Sequence, residues 1–364
     1  MVRPLRLVTL SIGNRGSYGS KKVRLISAKA KRNYVAITVG AVLVFVMING
    51  LLILCGRDGK TRGCAVSASL VPSCGPWWGS ALDSGNSALA AAVTDRERAT
   101  DRRLDIVHTY HRWFDSFPTA TERAIATSGH LLFLNWEPVD AGGVAMSWAA
   151  IAAGSHDREI RALGARLKAF GRPVLLSFSH EPEASYPAHG GSASDFVAAF
   201  RHVHDLVGAA GASQVRWVWN TMGLADPVWR GRYRQLYPGD RYVDWIAWDP
   251  YNWADCRQRD WQSFAQTVTP FYQWLEANGF GNKPFMLAEF GSVEQPGQAG
   301  RKADWFTQIP AALAHLSNLK ALVYFDLPRP PANCDWQIST SPESAAGYRA
   351  AAQRLDATAK LATR

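Results

Sequence analysis

Short, mostly apolar runs recur along the chain, each followed by a stretch in which apolar residues return every three or four positions. The first run covers residues 77–82 and its helix-like partner 88–99. The order continues as 105–110 with 119–127, 130–136 with 157–170, 173–179 with 194–209, and 215–220 with 227–237. It ends as 243–249 with 261–278, 284–289 with 303–315, and 320–326 with 345–359. Runs such as PVLL, FMLA and ALVYF are apolar throughout instead of alternating, which marks parallel strands buried on both faces. Eight strand–helix units in about 290 residues predict an α/β fold, a (β/α)8 TIM barrel. The competing arrangement, an open doubly wound sheet, would place a glycine-rich phosphate loop after its first strand, and GPWWGS does not match one.

One apolar run breaks the pattern. YVAITVGAVLVFVMINGLLIL begins at Tyr34, ends at Leu54 and carries no charge over 21 residues. As a helix it would be about 32 Å long, enough to cross a bilayer. A cleaved signal peptide usually has an apolar region of ~7–15 residues. No small-x-small site precedes Arg57, and Cys55 follows Leu54, not the small residue a lipoprotein site needs. Nine Lys or Arg precede the span and three follow it, Arg57, Lys60 and Arg62. This bias predicts a single-pass cell-membrane protein with a cytoplasmic N-terminus and an extracytoplasmic domain. The expected order is a basic arm (1–33), a transmembrane signal anchor (34–54), a linker (55–72) and the barrel (73–364).

The formal charge of +10 invites a nucleic-acid reading, but its distribution removes the reason for one. Nine of the 40 basic residues lie in the first 33 positions, which hold no acid; the remaining 31 face 30 acids. No nucleic-acid partner is expected. Outside the cytoplasm thiols oxidise, and four cysteines lie beyond the span: Cys64, Cys74, Cys256 and Cys334. Four cysteines allow three connectivities. Cys64–Cys74 and Cys256–Cys334 are favoured, the second because both of its members fall in loops on one face of the barrel. No CxxC or HxxxH spacing suggests a metal site.

Barrel active sites lie at the C-terminal ends of the strands. Glu181 ends the fourth strand in SFSHE, and Glu289 ends the seventh in PFMLAEFGS. Two carboxylates so placed can face each other across the mouth, and a retaining glycosidase needs such a pair about 5–5.5 Å apart. One acid would protonate the departing oxygen while the other attacks the anomeric carbon. An acid catalyst needs its pKa raised by apolar surroundings or nearby negative charge, whereas a nucleophile is held ionised by donors such as a phenol. Glu183, two positions after Glu181, reads as a loop carboxylate.

Over roughly 77–326 the chain resembles glycoside hydrolase family 26, on the segments LDIVHTY, SHEPE, VRWVWN, YPGDRYVDWIAWDPY and KPFMLAEFGS. That resemblance implies a mannanase-like retaining β-glycosidase, whose chemistry requires no cofactor; with the expected anchor, its substrate would be an extracellular or cell-envelope polysaccharide. By it Glu181, preceded by His180, is the acid/base, Glu289 is the nucleophile, and Tyr251 in WDPY holds the nucleophile. Trp136, Glu137, Asn220, Asp249, Trp253 and Tyr324 are the candidate substrate-binding residues, the aromatic ones because rigid rings cover the apolar faces of pyranoses. Trp217 and Trp245 alternate away from the strand ends. Asp326 closes the eighth strand and is as readily a structural carboxylate.

Departures from the family pattern gather where substrate would touch. The third strand ends Asn135-Trp136-Glu137 where members carry Trp-His, so Glu137 adds a carboxylate that could read a hydroxyl or a cationic sugar, or raise a neighbouring pKa. Ser177 stands where many carry Arg, and Tyr324 where Trp is common. Tyr186 and His189 are the only rings in the loop after the acid/base. Two alternatives remain open: the same fold acting on a β-glucan or xylan, and a barrel that binds carbohydrate without turning it over.

Overall fold

The computed structural model describes residues 64–82, 88–185, 190–224, 226–327 and 334–355. The basic arm, the apolar run from Tyr34 to Leu54 and the loop rings Tyr186 and His189 lie outside the described residues. Among the described residues no helix is long and apolar enough to cross a membrane.

Eight parallel strands close into a barrel: β1 (Trp77–Ala81), β2 (Ile106–Arg112), β3 (Leu131–Glu137), β4 (Val174–Phe178), β5 (Val215–Thr221), β6 (Trp245–Trp248), β7 (Phe285–Ser292) and β8 (Leu319–Phe325). Each pairs with the next, and β1 with β8 completes the circle. The main helices that follow them are α1 (Leu89–Thr100), α2 (Ala120–Thr127), α3 (Asp157–Phe170), α4 (Ala193–Ala209), α5 (Pro227–Leu236), α6 (Phe264–Ala277), α7 (Arg301–Thr307) and α8 (Pro342–Arg354), with short helical turns at Trp148–Ala152 and Pro182–Ser185. Thr119, Ser192 and Ser263 begin α2, α4 and α6 with reciprocal capping boxes, satisfying backbone donors that a helix start leaves free. The sequence read 303–315 as one helix. Pro310 lacks the N–H a continuous helix requires, and the stretch divides into α7 and a short helix, Ile309–Leu313.

Alternation along the strands sorts side chains into two cores. Ile106, Leu131, Phe133, Leu175, Val218 and Ala247 fill the barrel interior. Val107, Leu132, Leu134, Leu176, Trp217 and Trp248 face the helices. Each strand thus has apolar residues on both faces, which is why the runs look unbroken in the sequence.

The Cys64–Cys74 pairing forms, and the loop it closes is part of the barrel. Leu70 is buried in the inner core. Trp77 Nε1 donates to the Leu70 carbonyl at 2.7 Å, Trp245 Nε1 to that of Ser69 at 2.7 Å, and Arg216 Nε to that of Ala68 at 2.6 Å. Residues 64–72, expected as the end of a linker, instead cover the N-terminal end of the barrel, where the inner core would otherwise meet water.

Candidate active site

The chain turns sharply where β4 ends. Ser179 and Glu181 adopt left-handed backbone angles, φ 51° and 48°, which cost non-glycine residues energy and persist only where neighbours enforce them. Ser179 N donates to Trp136 O at 2.9 Å and Glu181 N to Asn220 O at 3.2 Å, so the turn is tied to β3 and β5. On β7 the pairing with β8 slips between Leu287 and Phe290. Ala288 belongs to the inner core and Phe290 to the outer, and the slip lets Glu289 between them turn toward the mouth.

Glu289 is held on three sides. Tyr110 Oη donates to its Oε1 at 2.6 Å, and Tyr251 Oη to its Oε2 at 2.5 Å. Its backbone N–H donates to Asp249 Oδ1 at 2.9 Å, and Asn220 Nδ2 donates to Asp249 Oδ2 at 2.9 Å. Tyr251 itself sits on a two-residue strand, Tyr251–Asn252, beside Gly291 and Ser292. A Cβ at Gly291 would come within 3.1 Å of the Tyr251 ring, so the phenol's position depends on that glycine. Burial and the Glu289 charge push both phenols well above their usual range, so they remain donors.

Three carboxyl groups crowd the mouth, and burial raises two of them. Burial raises Glu181 to about 7, the His180 charge pulling it down and the Glu289 charge pushing it up. Asp249, which lies beside Glu181, is driven well above the carboxylate range by burial and then by Glu289 and Glu181. For His180 burial alone would lower the pKa, but the Glu137 carboxylate against its Nδ1 raises it to about 10. Glu137 thus engages His180 through Oε1, and its charge also raises the neighbouring Glu181, one of the roles its position suggested. Glu183 is buried, accepts from Met222 N at 2.6 Å, and is raised to about 8, chiefly by burial. It fastens the loop after β5 and does not line the cleft.

Glu181 and Glu289 open on one cleft of about 530 Å³, lined also by Met222, Leu224, Asp249, Tyr251, Trp253, Arg257, Arg259, Phe325 and Trp336. A larger hollow of about 700 Å³ lies between α4 and the end of α5. Its lining, Ser192, Val197, Arg201, Gln235 and Tyr237 among it, holds no carboxylate, so the chemistry belongs to the smaller cleft. Among the described residues no cluster of His, Cys, Asp and Glu could hold a metal ion.

Several expected substrate contacts are placed elsewhere. Trp136 is buried against the helices, stacked on Trp113 at 4.1 Å with its Nε1 donating to Trp113 O at 3.2 Å. Alternation explains this: Asn135 and Glu137 face inward, so Trp136 between them faces out. Tyr324 lies in the same outer layer, and its hydroxyl donates to the Trp336 carbonyl. Asn220 is fully buried and orients Asp249 instead of meeting the cleft. Trp253 reaches the cleft, but Arg257 covers its ring at 4.6 Å.

Sequence reading missed Tyr110, Trp336, Phe325, Arg257 and Arg259. Tyr110 and Phe325 occupy inward positions at the ends of β2 and β8, a signal that strand alternation carries. Trp336 follows Cys334, and the Cys256–Cys334 bond brings that segment beside Trp253 as the loop reading expected. Lys302 Nζ donates to Gln337 O at 2.7 Å and to Thr340 Oγ1 at 3.0 Å, holding the same segment from below. Trp336 then packs on Tyr251 at 4.6 Å and on Trp253 at 4.9 Å between ring centres.

The fold and the strand-end carboxylates define a barrel of the glycoside hydrolase type. Solved structures that superpose on it include the GH26 β-mannanase of Bacteroides ovatus, with TM-score 0.56 and 16% identity over 80% of this chain and 94% of that one. The catalytic domain of the GH26 endo-β-1,4-mannanase of Bacillus sp. JAMB-750 superposes with TM-score 0.55 and 15% identity over 77% of this chain and 86% of that one. The likeness at these identities is one of fold, and the fold is that of glycoside hydrolase family 26, as the sequence motifs implied. In sequence, Endoglucanase H of Acetivibrio thermocellus is 34% identical over 280 residues, 73% of this chain and 29% of that protein. Beta-1,3-xylanase TXYA of a Vibrio species is 28% identical over 140 residues, 38% of this chain and 28% of that protein. The chain thus spans less than a third of the length of these curated relatives. No family model matches it.

Proposed function

We propose that the protein is a membrane-anchored retaining β-glycoside hydrolase that cleaves an extracytoplasmic polysaccharide with a backbone of β-linked hexoses. One observation carries this reading: Glu181 and Glu289, from strands four and seven, line the same cleft, and Glu289 is gripped by two phenols. Glu181, raised to about 7 by burial, retains its proton at mildly acidic to neutral pH and gives it to the departing glycosidic oxygen. Glu289 attacks the anomeric carbon from the opposite side and forms a glycosyl ester. Glu181, now ionised, takes a proton from the water that opens that ester, restoring both groups. Backbone glucose is favoured by the 34% identity to an endoglucanase, and mannose by the mannanases that share the fold.

The anchor is part of the same proposal. Residues 34–54, with their cytoplasmic charge bias, would tether the domain, and two cystines in the barrel suit an oxidising compartment. Two assays test the whole. The purified full-length chain should release reducing ends from mixed-linkage β-glucan or β-mannan, with the first product anomer of retained configuration by proton NMR. Turnover that survives Glu289→Ala, or a first product of inverted configuration, would exclude this mechanism. Protease protection of the barrel in sealed vesicles of known orientation tests the anchor.

A further inference from the structure

The cleft is electrically two-sided. Its inner end holds Glu181, Asp249 and Glu289; its rim, formed by the segment after Tyr251, presents Arg257 and Arg259. Among the described residues neither guanidinium has a carboxylate within 4.0 Å, and the acid nearest in sequence to Arg257, Asp255, accepts instead from Gln295 Nε2 at 3.3 Å. Arg257 is not an idle surface side chain. Its guanidinium lies 4.6 Å from the centre of the Trp253 ring, and the ring is fixed in turn by Tyr251 at 5.3 Å and Trp336 at 4.9 Å. An aromatic face orients a guanidinium while leaving its N–H edges free to donate.

Trp253 therefore serves this cleft as the backing of a cation. A neutral glycan gains little from two cations there, whereas an oxyanion on the sugar would be met by a flat, forked donor set. The outer domain is close to electroneutral, with 31 basic residues facing 30 acids from Tyr34 onward, so the pair is not the by-product of a generally basic surface. The attacking carboxylate Glu289 at the inner end disfavours an anionic group on the sugar being cleaved. The charge belongs on a unit further along the chain, where the rim begins.

We propose that Arg257 and Arg259 form a subsite for an anionic substituent, so that the substrate is an acidic glycan bearing a carboxylate or phosphate ester next to the scissile unit. The inference rests on the hydrolase reading and narrows its substrate class.

The experiment compares mixed-linkage β-glucan with the same polymer partly oxidised to C6 carboxylates, and with a partly phosphorylated form, using the full-length protein. The carboxylated or phosphorylated polymer should show kcat/KM about tenfold above the neutral one in low salt, corresponding to roughly 1.4 kcal/mol. That preference should shrink several-fold in 0.5 M NaCl and approach one in the Arg257→Gln/Arg259→Gln double variant. Which derivative is preferred identifies the oxyanion. Equal use of neutral and charged polymers by the unaltered protein, or a preference that survives the double variant, overturns the subsite while leaving the hydrolase reading intact. If neither these polymers nor the same series made from β-mannan is cleaved, the hydrolase reading fails; calorimetric binding of the carboxylated oligosaccharide then decides the subsite, with weaker binding in the double variant upholding it and equal binding refuting it.

Discussion

Tyr110 and Glu289 stand 179 positions apart in the chain, and a 2.6 Å hydrogen bond joins the phenol to carboxylate Oε1. Tyr251 occupies Oε2 at 2.5 Å, so the side chain that would attack the sugar cannot rotate without breaking a contact. Tyr110→Phe should lower kcat about 10- to 100-fold, the range expected for one charge-assisted hydrogen bond. Tyr251→Phe should do the same, and the double variant should lose less than the product of the two because they grip one group. Steady-state kinetics with melting curves for each variant would check this; a KM effect with unchanged kcat would contradict it.

The proton on Glu181 sets the alkaline side of the pH profile. With its pKa raised to about 7, kcat/KM should fall tenfold per pH unit above that value. Glu181→Gln should abolish that limb. Turnover of an activated aryl glycoside by this variant should be restored by azide, which needs no general base.

Glu137 acts on Glu181 through His180. Glu137→Gln removes the strongest of the charges that raise the imidazole to about 10, leaving Glu289 and Glu181 to oppose burial, so His180 holds its proton less firmly. A less protonated imidazole pulls Glu181 down less, which outweighs the smaller raising effect of the Glu137 charge lost with it, and the alkaline limb should move upward by a few tenths to one pH unit. An unchanged limb would show that the imidazole does not govern the acid.

Glu183 makes a prediction about stability. Its pKa rises from 4.5 to about 8 in the folded state, chiefly by burial, so between these values the unfolded chain ionises while the folded one stays protonated. The contribution of Glu183 to stability is therefore greatest below about 4.5 and is lost as pH climbs through 8, by an amount on the order of a few kcal/mol. Glu183→Gln keeps the capacity to accept from Met222 N and removes the titration. Urea unfolding at pH 5 and pH 8 should show a smaller difference for the variant than for the unaltered chain.

Most of the barrel was legible because parallel strands bury both faces. PVLL and FMLA announce β4 and β7 directly, and a Glu just past such a run stands at the mouth. The side-chain level was less accessible. Trp136 reads as a sugar platform from its place in the chain, but period-two alternation between Asn135 and Glu137 sends it to the helices. Glu289 breaks the same rule, because a register slip in β7 turns it inward, and slips leave no mark in composition. Tyr110 was legible only in retrospect. Its strand position was known, yet nothing in LDIVHTY says that a residue from β2 meets one from β7.

The cystine between Cys256 and Cys334 spans 78 positions and fastens the segment bearing Trp253 to the one bearing Trp336. That seam can be sewn only after both segments have been synthesised, and only where thiols are oxidised. Oxidation of this one pair therefore finishes the binding surface: where the thiols stay reduced, Trp253 and Trp336 are not fastened to each other beside the carboxylates.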